Sequence, residues 1–448
     1  MGGSAATAVL SALRDGSGSE RYGLDLLRHT GLTSGRLYPA LVRLERTGLI
    51  QSRWHDNGRR RYRLTPAGAA AAATGRREAV RTAVWWLTAA TIAAIESYAA
   101  LSRPAGARLS DLGIYLGAVH GLRDGASLYA ETGANHAAFT YPPFAGLVLW
   151  PLSLAATLPL QVAWTLLTVG AVVALSTLAA PATRLPRAVP AVGIAAALLL
   201  SAPVSSALHF GQISIILAAL VVVDTIGMRN SRYQGVLVGC AAALKLTPLI
   251  FVPVLWLAGR RRAALVAAST FAACGALGWA LLPADSWQFW SAHVWHPSRL
   301  GPITSVGNQS LNGALMRLGM AEPNRSIAAL AVAGAVAAIA LRRAGRLGRD
   351  GDWLSATTLA GAASVVISPV SWTHHQAWLV MAALLPVRGS AGAQRAWSAA
   401  VLATMILPVT ALGPPIWSNA RMLTAVVVAC LVPVRRAQPP RPVFHTDC

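Results

Sequence analysis

From Ala83 onward the chain runs in long apolar stretches broken by short polar or arginine-bearing segments. Residues 1–81 instead carry apolar positions at helical spacing among charges. A helical span needs about 20 apolar residues. Candidate runs lie near 82–101, 142–158, 161–180, 188–206, 212–227, 235–257, 262–282, 325–341, 355–370, 375–387, 397–412 and 419–434, several of them short. The pattern predicts a mainly α, polytopic domain of roughly 10–12 transmembrane helices over 81–436. A small winged helix-turn-helix domain over 1–80 precedes it, and a cytoplasmic tail over 437–448 follows.

In the head, AATAVLSALRDG and SERYGLDLLRHTG read as two helices, with Ser19 a candidate N-cap of the second. A third helix begins near Thr33, its apolar face set by Leu37, Leu41, Leu44 and Leu49, with Pro39 in its first turn. QSRWHDNGRRRYRLT forms two short strands around Asp56-Asn57-Gly58, a hairpin turn signal. A further helix from near Pro66 continues through Arg76, Arg77 and Arg81 into the first span.

Composition supports the membrane reading. Hydrophobic residues make up 55% and charged residues 12%, where a soluble domain carries about 25% charge. Mean hydropathy is +0.51. The net charge is +22, and residues 1–81 hold 14 arginines against six acids. Such a basic head suits nucleic acid or an anionic membrane surface. Residues 1–30 lack a basic stretch followed by a cleavable apolar one, which keeps the head in the cytoplasm of a multi-pass cell-membrane protein.

Loop arginines orient the later spans. Arg342, Arg343, Arg346 and Arg349 fall inside, as do Arg388 with Arg395 and Arg435 with Arg436. Segments 283–324, 371–374 and 413–418 then fall outside. Arg184, Arg187, Arg229 and Arg232 come out external on the same count, so topology between 181 and 257 stays open. Cys240, Cys274, Cys430 and Cys448 show no CxxC spacing and read as small hydrophobes, with no metal site.

Two resemblances emerge from quoted stretches. GRLYPALVRLERTGLIQSRW with RRRYRLTPAG resembles the PadR-type transcriptional regulators. That implies DNA binding through residues 1–80, with Arg36 and Tyr38 near the start of the recognition helix and Arg59, Arg60 and Arg61 of the wing against phosphates. A protein-interaction or lipid-surface role is the alternative for the same fold. Further along, SDLGIYLGAVHGLRDGASLY, YPPF, HFGQIS, ALKLTP, NQSLNG and SPVSWTHH occur in order over 82–434. Together they resemble glycosyltransferase family 87, the polyprenyl-phosphate-mannose-dependent α-mannosyltransferases of the GT-C superfamily. The resemblance implies inverting hexosyl transfer on the extracytoplasmic face, from a polyprenyl-phosphate sugar to an envelope lipid or glycan acceptor, without a cofactor.

The residues fit that chemistry. Transfer from a glycosyl phosphate needs a base for the acceptor hydroxyl, and phosphate leaves with little help. Asp111 matches the family's catalytic aspartate and opens an amphipathic helix bearing Leu112, Tyr115, Leu116 and Val119, expected to lie along the membrane surface. Its other reading is an acid at a helix N-terminus. Asp124 and Glu131, in the same loop, read as solvated. Arg123, Lys245, His374 and His375 are candidates for the donor phosphate; Tyr115, His209, Gln212, Asn308 and Gln309 for the sugar or acceptor. His209 and Arg317 also enter as external or intramembrane cations. Lys245 is the chain's only lysine and lies in the apolar run AAALKLTPLI, where Pro248 frees backbone groups beside it; a snorkelling or topological cation is the alternative. Tyr141-Pro142-Pro143 reads as shaping the entry of the second span, and Trp287, Trp290 and Trp295 as interfacial anchors or sugar-stacking surfaces. A membrane-tethered regulator with a non-catalytic sensor domain, and a flippase for a polyprenyl-linked sugar, are the competing functions.

Overall fold

The computed structural model describes residues 3–14, 20–55, 58–130, 138–185, 190–295, 302–413 and 415–435. The Ser19 cap, Asp56-Asn57 of the hairpin turn, Glu131, Arg187, Arg436 and the tail lie outside the described residues. The chain divides into two compact units, Met1–Thr88 and Ala89–Cys448.

The first unit contains α1 (Gly3–Arg14), β1 (Arg21–Tyr22), α2 (Gly23–Thr30), α3 (Ser34–Arg46), β2 (Ile50–Trp54) and β3 (Arg60–Leu64). It ends in the first part of α4 (Pro66–Leu101). The expected apolar face of α3 is its buried face: Leu37, Leu41 and Leu44 join Val9, Leu26 and Ile50 in one core. β2 and β3 pair antiparallel from Ile50↔Leu64 to Trp54↔Arg60. A third strand, β1, adds to β3 at Arg21↔Tyr62, giving the order β1-β3-β2. Two residues are too few to show alternation, so the pattern predicts only the pair. Pro39 is the sixth residue of α3 and lies in its second turn, not its first. There its ring removes one intrahelical hydrogen bond.

In the second unit α4 is followed by α5 (Ser110–Arg123), α6 (Pro143–Leu149), α7 (Thr157–Ala182), α8 (Ala191–Leu199), α9 (Ala202–Phe210) and α10 (Ser214–Val222). Next come α11 (Val236–Leu244), α12 (Phe251–Leu257), α13 (Arg261–Leu281), α14 (Pro283–Ser291), α15 (Leu311–Arg317), α16 (Asn324–Arg349) and α17 (Trp353–Ile367). The chain closes on α18 (Ala377–Met381), α19 (Ala391–Ile406), α20 (Pro415–Ser418) and α21 (Ala420–Val426).

Four described helices are long and apolar enough to cross a membrane: Val80–Leu101 of α4, α7, α13 and α16. α8 and α9 together make a fifth, bent by 62°. The other apolar runs are shorter or broken, so single long spans are fewer than the hydropathy pattern predicts. The run 235–257 is the clearest case. α11 stops at Leu244, Lys245 adopts extended backbone (φ −154°, ψ 130°), and a 3-10 turn over Thr247–Ile250 leads into α12. Pro248 cannot continue α11, because it lacks the N–H and disfavours helix in the residue before it.

Packing centres on α17. Every residue from Trp353 to Val366 is buried, and most are Ala, Gly, Ser or Thr, so neighbouring helices approach closely. α11 is drawn onto α13 by glycines: a Cβ on Gly235 or Gly239 would come within 2.1 Å of the Ala263 carbonyl and 2.5 Å of the Ala267 carbonyl, respectively. The apolar face expected on α5 exists, but Leu112, Tyr115 and Val119 are buried in the protein, where α5 meets α6 and α9. That face is therefore covered by protein and not by lipid.

Candidate active site

Breaks between helices converge on one cavity of about 1280 Å³. The start of α5 supplies Asp111 and Tyr115; the turn after α9 supplies Gln212; the break after α11 supplies Lys245; the 3-10 turn Thr373–His375 supplies two histidines. These six expected residues share its lining with Tyr141.

Local backbone explains how Asp111 and Gln212 meet. Leu109 precedes α5 in the left-handed region (φ 46°) and is fully buried. That conformation costs a non-glycine residue about 1–2 kcal/mol. Gly211 ends α9, also left-handed at φ 70°, and a Cβ there would sit 2.9 Å from the Cβ atoms of Leu109 and Leu112. The HFGQ glycine therefore permits both the turn and the close approach of α9 to α5. The side chain of the next residue, Gln212, donates its Nε2 hydrogen to Asp111 Oδ2.

A hydrogen-bonded chain runs on from there. Tyr141 Oη donates to Gln212 Oε1 (3.1 Å), and Tyr115 Oη lies 2.7 Å from Tyr141 Oη. Lys245 Nζ donates to Tyr141 Oη and Ser214 Oγ, both at 3.4 Å, and lies 2.7 Å from His375 Nε2. The ammonium also stands 4.9 Å from the centroid of the Tyr141 ring, a cation–π contact. Trp372 N–H meets His375 Nδ1 at 3.2 Å, which fixes that ring's plane. His374 is buried edge-on to His375, centroids 4.5 Å apart, and its Nε2 has no partner among the described residues. Burial lifts the Asp111 carboxyl above its ordinary range, opposed by the Gln212 hydrogen bond and the Lys245 charge.

The remaining expected residues go elsewhere. Arg123 is exposed at the far end of α5, twelve residues beyond Asp111, and does not line the cavity. Asn308 and Gln309 are fully buried, and their amides serve the protein itself. Asn308 Oδ1 accepts from Ser371 N (2.9 Å) and Gln309 N donates to Ser371 O (2.7 Å), while the Gln309 side chain binds Ser418 O and Met422 N. They tie down the loop that presents Trp372 and the histidines, and lie behind the lining instead of in it. Arg317 likewise binds Asn419, Ser305 O and Asn308 O. His209 accepts from Arg103 Nη1 (2.5 Å) and sits just outside the lining. Tyr141 and Arg103 were missed in the sequence. The first stood in the quoted YPPF motif but read as a turn former, and the second belongs to no motif.

In the first unit, Arg36 and Arg59 are exposed and Tyr38 is half-exposed. Arg60 pairs with both carboxylate oxygens of Glu45 (3.1 Å), and Arg61 lies over the Tyr22 ring (4.5 Å). Arg60 and Arg61 of the wing thus have partners inside the head.

Comparison with known proteins agrees with both parts. Glycosyltransferase family 87 matches residues 139–369, and the transcriptional regulator PadR-like family matches residues 9–74. A polyprenol-phosphate-mannose-dependent alpha-(1-2)-phosphatidylinositol mannoside mannosyltransferase of Mycobacterium tuberculosis is 33% identical over 300 residues, covering 61% of this chain and 69% of the relative. Its Mycolicibacterium smegmatis counterpart is 32% identical, covering 67% and 76%. A phosphatidylinositol pentamannoside mannosyltransferase of that organism is 31% identical, covering 70% and 77%. No solved structure matches. The family match begins at Phe139, beyond Asp111, so the place of Asp111 in the site rests on geometry.

Gly211→Ala tests the construction of the site. Strain and overpacking together should remove about 2–4 kcal/mol of stability. A lower thermal midpoint in detergent than that of the unchanged protein is the expected result.

Proposed function

Because this chain belongs to glycosyltransferase family 87, we propose that it transfers mannose, or another hexose, from a polyprenyl-phosphate sugar to an anionic envelope glycolipid, with inversion and on the extracytoplasmic face. The donor and the kind of acceptor follow the relatives' names. The observation that carries the reading is the Asp111–Gln212–Tyr141–Lys245 chain, which sets a carboxylate and an ammonium on one cavity wall.

In the proposed reaction an acceptor hydroxyl oxygen attacks the anomeric carbon. The bond from that carbon to the phosphate oxygen breaks, its electron pair leaves with the polyprenyl phosphate, and the hydroxyl proton passes to the Asp111 carboxylate. Desolvation makes Asp111 a stronger base than an exposed aspartate, while Gln212 keeps it oriented. The departing phosphate gains charge, and Lys245, with His375 beside it, is the cation positioned to meet it. Asp111 and Lys245 sit at the ends of α5 and α11, and Gln212 directly follows the turn that ends α9.

The family resemblance of the head supports duplex DNA binding from a cytoplasmic position, with α3 in the major groove and Arg36 and Arg59 as its exposed contacts. Arg60 and Arg61 then act by stiffening the wing.

Asp111→Asn should lower transfer of radiolabelled sugar by about 10²–10⁴-fold at equal membrane abundance; unchanged transfer rules out the assignment. The base must be deprotonated to act and its pKa is raised, so the rate falls on the acid side at a higher pH than an ordinary carboxylate would give. Gln212→Leu removes a bond that favours the charged form, and should move that limb to still higher pH. For Lys245→Met, the KM for the donor should rise by about 10-fold or more with insertion into the membrane unchanged. In gel shifts with the purified full-length protein, Arg36→Gln should weaken binding to its own promoter more than Arg60→Gln, with affinity falling steeply as salt rises.

A further inference from the structure

A second cationic cluster lies beside Asp111, outside the cavity lining, on the loop between α4 and α5. Arg103 Nη1 donates to Ala107 O (3.2 Å) and to His209 Nε2. A guanidinium only donates, so Nε2 of His209 carries a lone pair and the ring is neutral with its proton on Nδ1. Arg108 Nη2 donates to Arg103 O (3.1 Å), and Gln161 Nε2 from α7 holds the Arg108 carbonyl (3.4 Å). Backbone and ring contacts thus fix both arginines in place.

What the cluster lacks is an anion. Among the described residues neither arginine has a carboxylate within 4.0 Å. The Nε and Nη2 donors of Arg103 have no protein acceptor there, and Arg108 Nε is buried without a partner. The carboxylate of the neighbouring span, Glu96, accepts from Ser205 Oγ (2.8 Å), one turn before His209 on α9. Ser206 and Phe210 of the same helix line the main cavity, whereas Ser205 and His209 are outside its lining. His209 carries the Arg103 contact and is near enough to Asp111 for the two to interact electrostatically. Asp111 thus has the Gln212–Tyr141–Lys245 chain and this cluster as two separate cationic neighbours.

We propose that the free Nε–Nη2 edge of Arg103, steadied by His209 and reinforced by Arg108, holds the phosphodiester of the lipid acceptor, so that the acceptor hydroxyl is brought to Asp111. A guanidinium edge with two parallel N–H groups matches two oxygens of a phosphodiester, as a lone ammonium does not. The donor phosphate is the other source of the same chemistry, but Lys245 already lines the main cavity with Asp111, where Arg103 does not. The proposal rests on Asp111 being the base.

Full-length enzyme in detergent, with a polyprenyl-phosphate mannose donor, separates the possibilities. Two acceptors are compared: an anionic phosphatidylinositol mannoside and a neutral alkyl α-mannoside. Arg103→Gln should raise KM for the anionic acceptor by roughly 10–100-fold, with kcat within about twofold and the neutral acceptor unaffected. Arg103→Lys, which keeps the charge but loses the fork, should fall between. A rise in the donor KM instead would assign the cluster to the donor phosphate and overturn the proposal. Equal loss of kcat with both acceptors in both variants would reduce Arg103 to a positioning residue for its loop, and equally overturn it. Wild-type enzyme that transfers to neither acceptor would remove the base reading itself, and this proposal with it.

Discussion

A carboxylate and an ammonium withdrawn from water into one cavity attract each other, and the rest of the site is arranged around keeping them apart. At 4 Å the attraction runs from about 1 kcal/mol in water to about 4 kcal/mol at an effective dielectric of 20. A direct ion pair would leave each charge committed to the other. Here Gln212 and Tyr141 stand between them, each donating in the direction of Asp111. The neutral amide and phenol link the two charged groups without letting them pair directly. Leu109 in its left-handed conformation and Gly211 at the end of α9 are the backbone conditions for that arrangement.

The two cation types divide the work around Asp111. Lys245 is the chain's only lysine, and its ammonium serves three acceptors in separate directions: Tyr141, Ser214 and His375. A planar guanidinium cannot satisfy three such directions from one point. Arg103 faces the reverse demand, with one nitrogen anchored and one flat edge left open. In a chain with 37 arginines and one lysine, the exception falls where the geometry asks for a point charge.

Much of this was legible in the sequence, for identifiable reasons. Leu37, Leu41 and Leu44 marked a buried helical face because burial imposes the 3.6-residue period. Asp111, Gln212, Lys245 and the two histidines stood out as polar islands in apolar surroundings, where charge is retained only for cause. Direction was not legible. Asn308 and Gln309 are polar islands as well, but their amides turn inward, Asn308 to Ser371 of the histidine loop and Gln309 to Ser418 and Met422. Arg123 shares a helix with Asp111 yet sits more than three turns away. Hydropathy averages over a window, so it also passed across the break at Lys245 and merged two short helices into one span.

That break has a consequence for how the protein is made. α11 and α12 have nine and seven residues, and each alone falls far short of a bilayer's thickness. Neither half has enough length to partition into lipid as an independent unit. α11 is held through Gly235 and Gly239 against the backbone of α13, and α12 packs on α13 and α16. Both supports lie later in the chain and are long enough to insert by themselves. The lysine-bearing elbow therefore depends for its position on helices that follow it in the chain. A chain ending near residue 260 would lack α13 and α16, the two supports that hold the segments on either side of Lys245.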